Sequence, residues 1–211
     1  MIDVLHYISQ EGPNGESHLE MTKKALEAGV DWVQLRVKGK PLREVKRMAL
    51  ASKDLCEQFN AKLIINDHVE LAKGIGADGV HVGLNDMTVA AARRILGDEF
   101  IIGGTANKFE DVKTQYEDGA DYVGVGPYRF TLSKDNLSPV LGLKGYEKLT
   151  RELSLQSMNI PVLAIGGIQF EDIKEIMNTG VHGIAVASLI NQSDNPTEIV
   201  NEIKKALTCV H

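Results

Sequence analysis

Eight short apolar runs, each followed by a segment with helical spacing, predict an α/β fold: a single-domain (β/α)₈ TIM barrel spanning residues 1–211. The runs are rich in Val and Ile, which is typical of parallel strands buried on both faces. The runs starting at residues 62, 79 and 100 lie 17 and 21 residues apart, a spacing that suits compact βα units. Eight such units favour a closed barrel over an open sheet. The predicted strands are residues 4–8, 32–35, 62–65, 79–82, 100–102, 122–125, 161–165 and 183–186.

The segments between these runs have the period of amphipathic helices. Leu42, Val45, Met48 and Ala49 recur every three or four residues with charges between them, and residues 89–96 and 173–177 repeat the pattern. Glycines follow several of these segments, where a left-handed residue ends a helix. They are Gly29, Gly76, Gly97, Gly119 and Gly180.

One interval is longer than the others, between the strands that start at residues 122 and 161. It holds a stretch with Gly, Pro and Ser at 126–142 and a predicted helix near 145–155. Irregular loops of more than about 12–15 residues are uncommon and often bind ligands.

Composition limits the class of protein and its partners. The formal net charge of −6 argues against a general nucleic-acid binder. Cys56 and Cys209 lack metal-ligand spacing and are interpreted as free thiols in a reducing compartment. There is no signal-peptide pattern at the start and no apolar run long enough to span a bilayer. We expect a cytoplasmic protein that acts on small molecules, without nucleic-acid or membrane partners; a homo-oligomer stays open.

Polar residues follow the second predicted strand. Gln34, Arg36 and Lys38 alternate, so they share one face and can point into the barrel mouth, where barrel enzymes build their sites. An Arg and a Lys there can bind phosphate oxygens. The alternative is a solvated strand end with ion pairs to nearby acids, and for Lys38 alone that alternative is favoured.

Carboxylates follow the third and fourth predicted strands. Asn66 and Asp67 end one run, and Asp86 comes after the next. Acids that follow adjacent strands can converge on one cation, and Mg²⁺ takes one or two protein carboxylates together with substrate phosphate. The alternative is that both acids are N-caps of the next helices.

A second anion site is predicted at the ends of the last two strands. Gly166 and Gly167 follow one strand, and Ala187 and Ser188 follow the other. Barrels often bind phosphate there through exposed backbone N–H groups. The alternative is a pair of tight turns without a ligand.

Three polar residues of the long loop, Thr131, Ser133 and Lys134, are either solvated surface or part of a segment that closes over a substrate. His81 lies within an apolar run and is interpreted as a hydrogen-bonded interior residue. The other histidines form no recognisable triad with a serine or cysteine.

Together these motifs resemble the thiamine phosphate synthase family over nearly the whole chain. They are QLRVK at 34–38, IND at 65–67, HVG at 81–83 with Asp86, GVGP at 124–127, TLSK at 131–134, AIGGI at 164–168 and VAS at 186–188. The resemblance implies a (β/α)₈ barrel that requires Mg²⁺. It joins 4-amino-2-methyl-5-(diphosphomethyl)pyrimidine to 4-methyl-5-(2-phosphoethyl)thiazole, or its carboxylated form, and releases pyrophosphate.

The resemblance also implies a role for each matching residue. Arg36, Lys38 and Lys134 are the catalytic cations, and Asp67 and Asp86 hold Mg²⁺. The contacts to the pyrimidine diphosphate are Gln34, Arg36, Lys38, Asn66, Thr105 and Lys134. The contacts to the thiazole phosphate are Thr131, Ser133, Gly167, Ala187 and Ser188.

Four positions depart from the family pattern. Val37 stands where Glu is usual, Thr105 where Ser is common, Gln10 where Asp is frequent, and Asn107 where His often occurs. The alternatives are a metal-independent thiazole tautomerase, which resembles the synthases but uses that His and loses metal acids, and a non-catalytic barrel that binds a phosphate ligand. Asp86, together with Asn107 in place of His, favours the synthase.

Overall fold

In the described residues, 1–130 and 139–208 of this computed structural model, eight parallel strands close into a barrel in chain order. The strands are β1 (Leu5–Ile8), β2 (Trp32–Leu35), β3 (Lys62–Asn66), β4 (Gly79–Val82), β5 (Ile101–Ala106), β6 (Tyr122–Val125), β7 (Val162–Ile165) and β8 (Gly183–Val186). β8 pairs with β1, with Leu5 opposite Ile184, so the sheet has no free edge. The predicted barrel is confirmed.

Helices follow the strands and cover the outside of the barrel. They are α1 (His18–Glu27), α2 (Leu42–Gln58), α3 (Val69–Ile75), α4 (Val89–Leu96), α5 (Phe109–Glu117), α6 (Gly142–Leu155), α7 (Ile173–Asn178), α8 (Ser188–Asn191) and α9 (Pro196–Thr208). A 3₁₀ turn, Phe170–Asp172, precedes α7. The five glycines predicted to end helices all have positive φ, between 66° and 98°. Within the described residues, no helix is both long and apolar enough to cross a membrane.

Two apolar cores lie on opposite faces of the strands. The larger packs the outward strand residues against the helices. The smaller lies inside the barrel and consists of Trp32, Ile64, Tyr122 and Leu163. His6 stacks on Trp32 with ring centroids 4.3 Å apart, so the barrel interior is packed below its mouth.

Aspartates fix the N-terminal ends of the strands. Asp78 accepts the N–H of Leu63 at 2.9 Å, and Asp121 accepts the N–H of Ile102 at 2.7 Å. Arg93 binds Asp121 at 2.7 Å and donates to the Phe100 carbonyl, also at 2.7 Å. These polar groups at the N-terminal ends of the strands are paired with one another. We therefore expect a functional site at the C-terminal ends.

Several strand glycines are required by close backbone approach. A Cβ atom at Gly183 would lie 2.2 Å from the carbonyl oxygen of Val4, and one at Gly79 would lie 2.1 Å from that of Ile101. Backbone cannot move aside as a flexible side chain can, so these positions determine how tightly neighbouring strands pair.

We expect Gly183→Ala to lower the free energy of unfolding by about 1–3 kcal/mol, the usual cost of overpacking. The matched control is Gly74→Ala in α3, where a methyl group would meet no atom within 4 Å. Gly74→Ala should raise the free energy of unfolding by about 0.5–1 kcal/mol, because Ala is the better helix former. Urea unfolding of both variants measures the difference; equal effects would contradict the proposed clash.

Candidate active site

Polar side chains gather where β2, β3 and β5 end. Gln34 and Asn66 are 4% and 8% exposed, and Thr105 is partly buried beside them. Arg36 is partly buried just past β2, whereas Val37 is buried in the outer core. The alternation expected after β2 is therefore present, with Val37 facing away from the mouth.

Asp67 is held in an unusual backbone conformation. Its φ is +63°, in the left-handed region that a non-glycine residue seldom adopts. Its N–H donates to the His81 carbonyl at 2.9 Å, which joins the end of β3 to β4. Its carboxylate forms an ion pair with Lys38. The ion pair expected for Lys38 is therefore made with a predicted metal ligand.

Asp86 reaches the same point from the β4 side. Burial raises the pKa of its carboxyl group, and the charge of Asp67 and a hydrogen bond with it raise that pKa further. A Cβ atom at Gly83 would lie 2.4 Å from Oδ2 of Asp86, so the glycine gives the carboxylate room to fold back. The structure thus brings together the two acids predicted to converge.

The alternative that these acids are helix N-caps is wrong. Thr88 caps α4, and its hydroxyl accepts the N–H of Ala91 at 3.2 Å. α3 begins after His68, and no side-chain cap hydrogen bond is present there. Both carboxylates are therefore free of a capping role.

The acid pair fits a hard divalent cation. The charge of Asp67 disfavours the charged form of Asp86, and Lys38 supplies a positive charge beside Asp67. Within residues 1–130 and 139–208, no group of three or more His, Cys, Asp or Glu residues could hold a metal ion. Mg²⁺ needs only one or two carboxylates when substrate phosphate and water complete its shell.

The second predicted site lies at the ends of β7 and β8. Gly166 and Gly167 have φ of 100° and 68°, respectively. The N–H of Tyr128 donates to the Ile165 carbonyl at 2.8 Å, and the N–H of Arg129 donates to the Gly166 carbonyl at 2.9 Å. The segment after β6 therefore runs along the end of β7.

Ala187 and Ser188 begin the short helix α8. The N–H of Asn191 donates to the Ala187 carbonyl at 3.0 Å. Asn191 also accepts a buried hydrogen bond of 2.8 Å from the Tyr7 hydroxyl, which attaches α8 to β1. Thr131, Ser133 and Lys134 lie outside the described residues, so the contacts predicted for them stay predictions.

Sequence reasoning missed a pair of polar residues at the end of β1. The Ser9 hydroxyl lies 2.9 Å from Nδ1 of His18 and accepts the N–H of Arg36 at 3.0 Å. Burial lowers the pKa of His18. This pair fixes the backbone that carries the Arg36 guanidinium, and nothing in the spacing of the two residues marks it.

His81 is an interior residue, as predicted. Its ring nitrogens lie 3.2 Å from the Tyr122 hydroxyl and 3.0 Å from the Thr105 hydroxyl. Asn107 donates through its side chain to the Gly126 carbonyl and through its backbone N–H to Asp111 at 2.9 Å. Asn107 therefore supports the turn after β5 and the end of β6.

Comparisons with known proteins find similar proteins over nearly the whole chain. A family profile described as thiamine monophosphate synthase matches residues 5–190. A thiamine-phosphate synthase of Flavobacterium psychrophilum is 48% identical over 207 residues, which cover 98% of this chain and 100% of the relative. One of Bacteroides fragilis is 51% identical over 199 residues, covering 94% and 97%. The solved structure of a thiamine phosphate pyrophosphorylase from Pyrococcus furiosus superposes with a TM-score of 0.83 at 31% identity, covering 98% and 96%.

The carboxylate pair predicts a pH dependence of stability. The pKa of Asp86 is raised above its ordinary value of 3.8, so the folded chain holds this proton more tightly than the unfolded chain. The stability that the group contributes is then lost as pH rises from that ordinary value through the raised one. In EDTA at pH 7 we expect Asp86→Asn to unfold at higher urea than the wild type.

The difference should shrink as pH falls below 3.8, where both the folded and the unfolded chain hold the proton. Asp54→Asn, an exposed acid of α2, is the control and should change the midpoint little at either pH. An Asp86→Asn variant less stable than wild type at pH 7 without metal would show that the two carboxylates do not repel.

Proposed function

Because the chain belongs to the thiamine monophosphate synthase family, we propose that its barrel mouth joins an aminopyrimidine diphosphate to a thiazole phosphate. The products are thiamine phosphate and pyrophosphate. Family membership makes the protein an enzyme, a transferase of thiamine biosynthesis. We place the reaction in the cytoplasm, on small phosphorylated substrates.

The contact between Asp67 and Asp86 beside Lys38 carries this proposal. Asp67 raises the pKa of Asp86, so this pair of acids suits a cation, while the neighbouring Arg36 and Lys38 suit an anion. A site with residues for a cation and for an anion suits a diphosphate bound to a metal ion better than it suits a metal ion or an anion alone.

The residues around this pair would bind the diphosphate. Arg36 presents a planar guanidinium suited to bidentate phosphate contacts, and its backbone is fixed by Ser9. Lys38 would exchange its ion pair with Asp67 for a phosphate oxygen when Mg²⁺ neutralises the acids. Asp67 and Asp86 would hold Mg²⁺, which when bound neutralises charge that builds on the leaving pyrophosphate.

The chemistry asks for no nucleophile from the protein. Pyrophosphate leaves the pyrimidine methylene carbon, the electron-rich aminopyrimidine ring spreads the positive charge, and the thiazole nitrogen then attacks that carbon. Arg36, Lys38 and the predicted Lys134 stabilise the departing anion, which is electrostatic catalysis at a preorganised site. Gln34, Asn66 and Thr105 would contact the pyrimidine diphosphate and orient its ring.

The end of β7 and the start of α8 would hold the thiazole phosphate. Gly167 exposes its backbone there, and Ala187 and Ser188 begin the helix. Thr131 and Ser133 are proposed as the hydroxyl contacts to the same phosphate. Binding the thiazole by its phosphate would hold its nitrogen in position for attack, so the reaction would not depend on a chance encounter.

The first test is a coupled assay for pyrophosphate and thiamine phosphate with both substrates and Mg²⁺. We expect activity that EDTA abolishes and Mg²⁺ restores. Metal-independent isomerisation of the thiazole carboxylate phosphate would instead support the tautomerase. Binding of the thiazole phosphate with no pyrophosphate release would support the non-catalytic barrel.

We expect Asp86→Ala to lower kcat by about 10²–10³, the usual cost of losing one preorganised electrostatic partner. The same change should raise the Mg²⁺ concentration needed for half-maximal rate. Asp98→Ala removes an exposed acid before β5, at the opposite end of the barrel, and should leave both quantities unchanged. Full turnover of Asp86→Ala at limiting Mg²⁺ would remove this residue from the metal site.

A further inference from the structure

A buried chain of hydrogen bonds connects two of the proposed pyrimidine contacts. Gln34 forms a hydrogen bond with the Tyr122 hydroxyl, and that hydroxyl lies 3.2 Å from Nδ1 of His81. Nε2 of His81 lies 3.0 Å from the Thr105 hydroxyl. Gln34 and Thr105 are therefore connected through Tyr122 and His81, which lie beneath the mouth.

Two glycines make the space for this chain of hydrogen bonds. A Cβ atom at Gly103 would lie 2.2 Å from Cζ of Tyr122, and one at Gly124 would lie 3.3 Å from Cε1 of His81. The strand register places Gly103 opposite Tyr122, and Gly124 opposite Thr105. Glycine at these two positions lets a tyrosine and a histidine lie inside an eight-stranded barrel.

Aromatic neighbours fix the Tyr122 ring in place. His6 meets the Tyr122 ring edge-on at 5.1 Å between centroids, and Trp32 meets it at 6.0 Å with an interplanar angle of 88°. A ring held on two sides keeps its hydroxyl at one point, which is what a relay between Gln34 and His81 requires.

The chain has a direction, because each member has a fixed number of protons. A hydroxyl has one hydrogen, and a neutral imidazole donates from one nitrogen and accepts at the other. Burial raises the pKa of Tyr122, so its hydroxyl keeps the one hydrogen that it can donate. The hydrogens therefore run either from Gln34 to Thr105, with Nδ1 of His81 as the acceptor, or from Thr105 to Gln34, with Nε2 as the acceptor.

In the direction that starts at Gln34, the mouth offers a ligand one acceptor and one donor. Gln34 keeps its carbonyl oxygen as an acceptor, and Thr105 keeps its hydroxyl hydrogen as a donor. An aminopyrimidine diphosphate is the complement, since its amino group donates while its ring nitrogens and phosphate oxygens accept. We propose that Tyr122 and His81 are positioning residues that fix Gln34 as the acceptor and Thr105 as the donor. The inference rests on the proposed function, because it takes this substrate as the ligand.

The test is Tyr122→Phe, which removes one oxygen and keeps the ring. We expect KM for the pyrimidine diphosphate to rise about tenfold, less than the ~10²-fold that a 1 Å misplacement can cost. KM for the thiazole phosphate should stay unchanged. A 4-oxo analogue of the pyrimidine diphosphate, which lacks the amino donor, should inhibit the wild type weakly. Tyr122→Phe should discriminate less against this analogue than the wild type does, because the Gln34 amide can rotate once the Tyr122 hydroxyl is removed.

Tyr146→Phe is the matched control. The Tyr146 hydroxyl is also buried and donates to the Val125 carbonyl at 2.7 Å, but it lies in the outer core. Tyr146→Phe should lower the stability of the protein. KM for either substrate and discrimination against the 4-oxo analogue should stay unchanged. If the two variants change KM alike, Tyr122 has only a structural role and the inference fails.

Nitrogen NMR of the protein with ¹⁵N-labelled histidine tests the direction without any assay. His81→Gln assigns the signal among the six histidines. We expect Nε2 protonated and Nδ1 bare in the wild type, and a mixture of tautomers in Tyr122→Phe. A protonated Nδ1 in the wild type would overturn the inference. A wild type with the expected tautomer but no pyrophosphate release would overturn the proposed function instead.

Discussion

Two carboxyl groups are held in contact at the barrel mouth, and the site depends on that constraint. The Asp67 backbone has a positive φ, and its N–H is fixed to the His81 carbonyl, so the point from which its carboxylate projects is fixed. Asp86 folds back over Gly83 to meet it. Lys38 compensates part of the repulsion at one acid. A divalent cation would relieve the remaining unfavourable charge, so this arrangement suits the metal site proposed here.

The barrel closure makes this contact possible. Strands β3 and β4 are neighbours in the sheet, with Asn66 opposite His81, so residues just beyond them lie side by side. Salt bridges and backbone contacts such as Lys62 with Asp78 hold the opposite end of the same strands. Stability and chemistry therefore occupy different ends of each strand, as is usual in this fold.

Sequence reasoning was most successful where the signal is local. The alternation of Gln34, Arg36 and Lys38, and the acids after two adjacent strands, follow from strand periodicity and barrel order alone. The Ser9–His18 pair and the Tyr122–His81–Thr105 chain were not predictable, because they depend on strand register and on the absence of a side chain at Gly103. A glycine in the sequence predicts a turn or a close approach, but it does not show which large neighbouring side chain it makes room for.

The two proposed subsites lie on different parts of the barrel, and this separation bears on the reaction. Among the described residues, those proposed for the diphosphate lie at the ends of β2 to β5, while those proposed for the thiazole phosphate follow β7 and β8. β6 stands between them, and the segment after it is fixed to the end of β7 through Tyr128 and Arg129. In the proposed substitution, the leaving group departs towards the acids while the thiazole nitrogen approaches from the other side. A short-lived cation between two anion sites would then meet a nucleophile already in place, because both partners are held by their phosphates and neither has to diffuse.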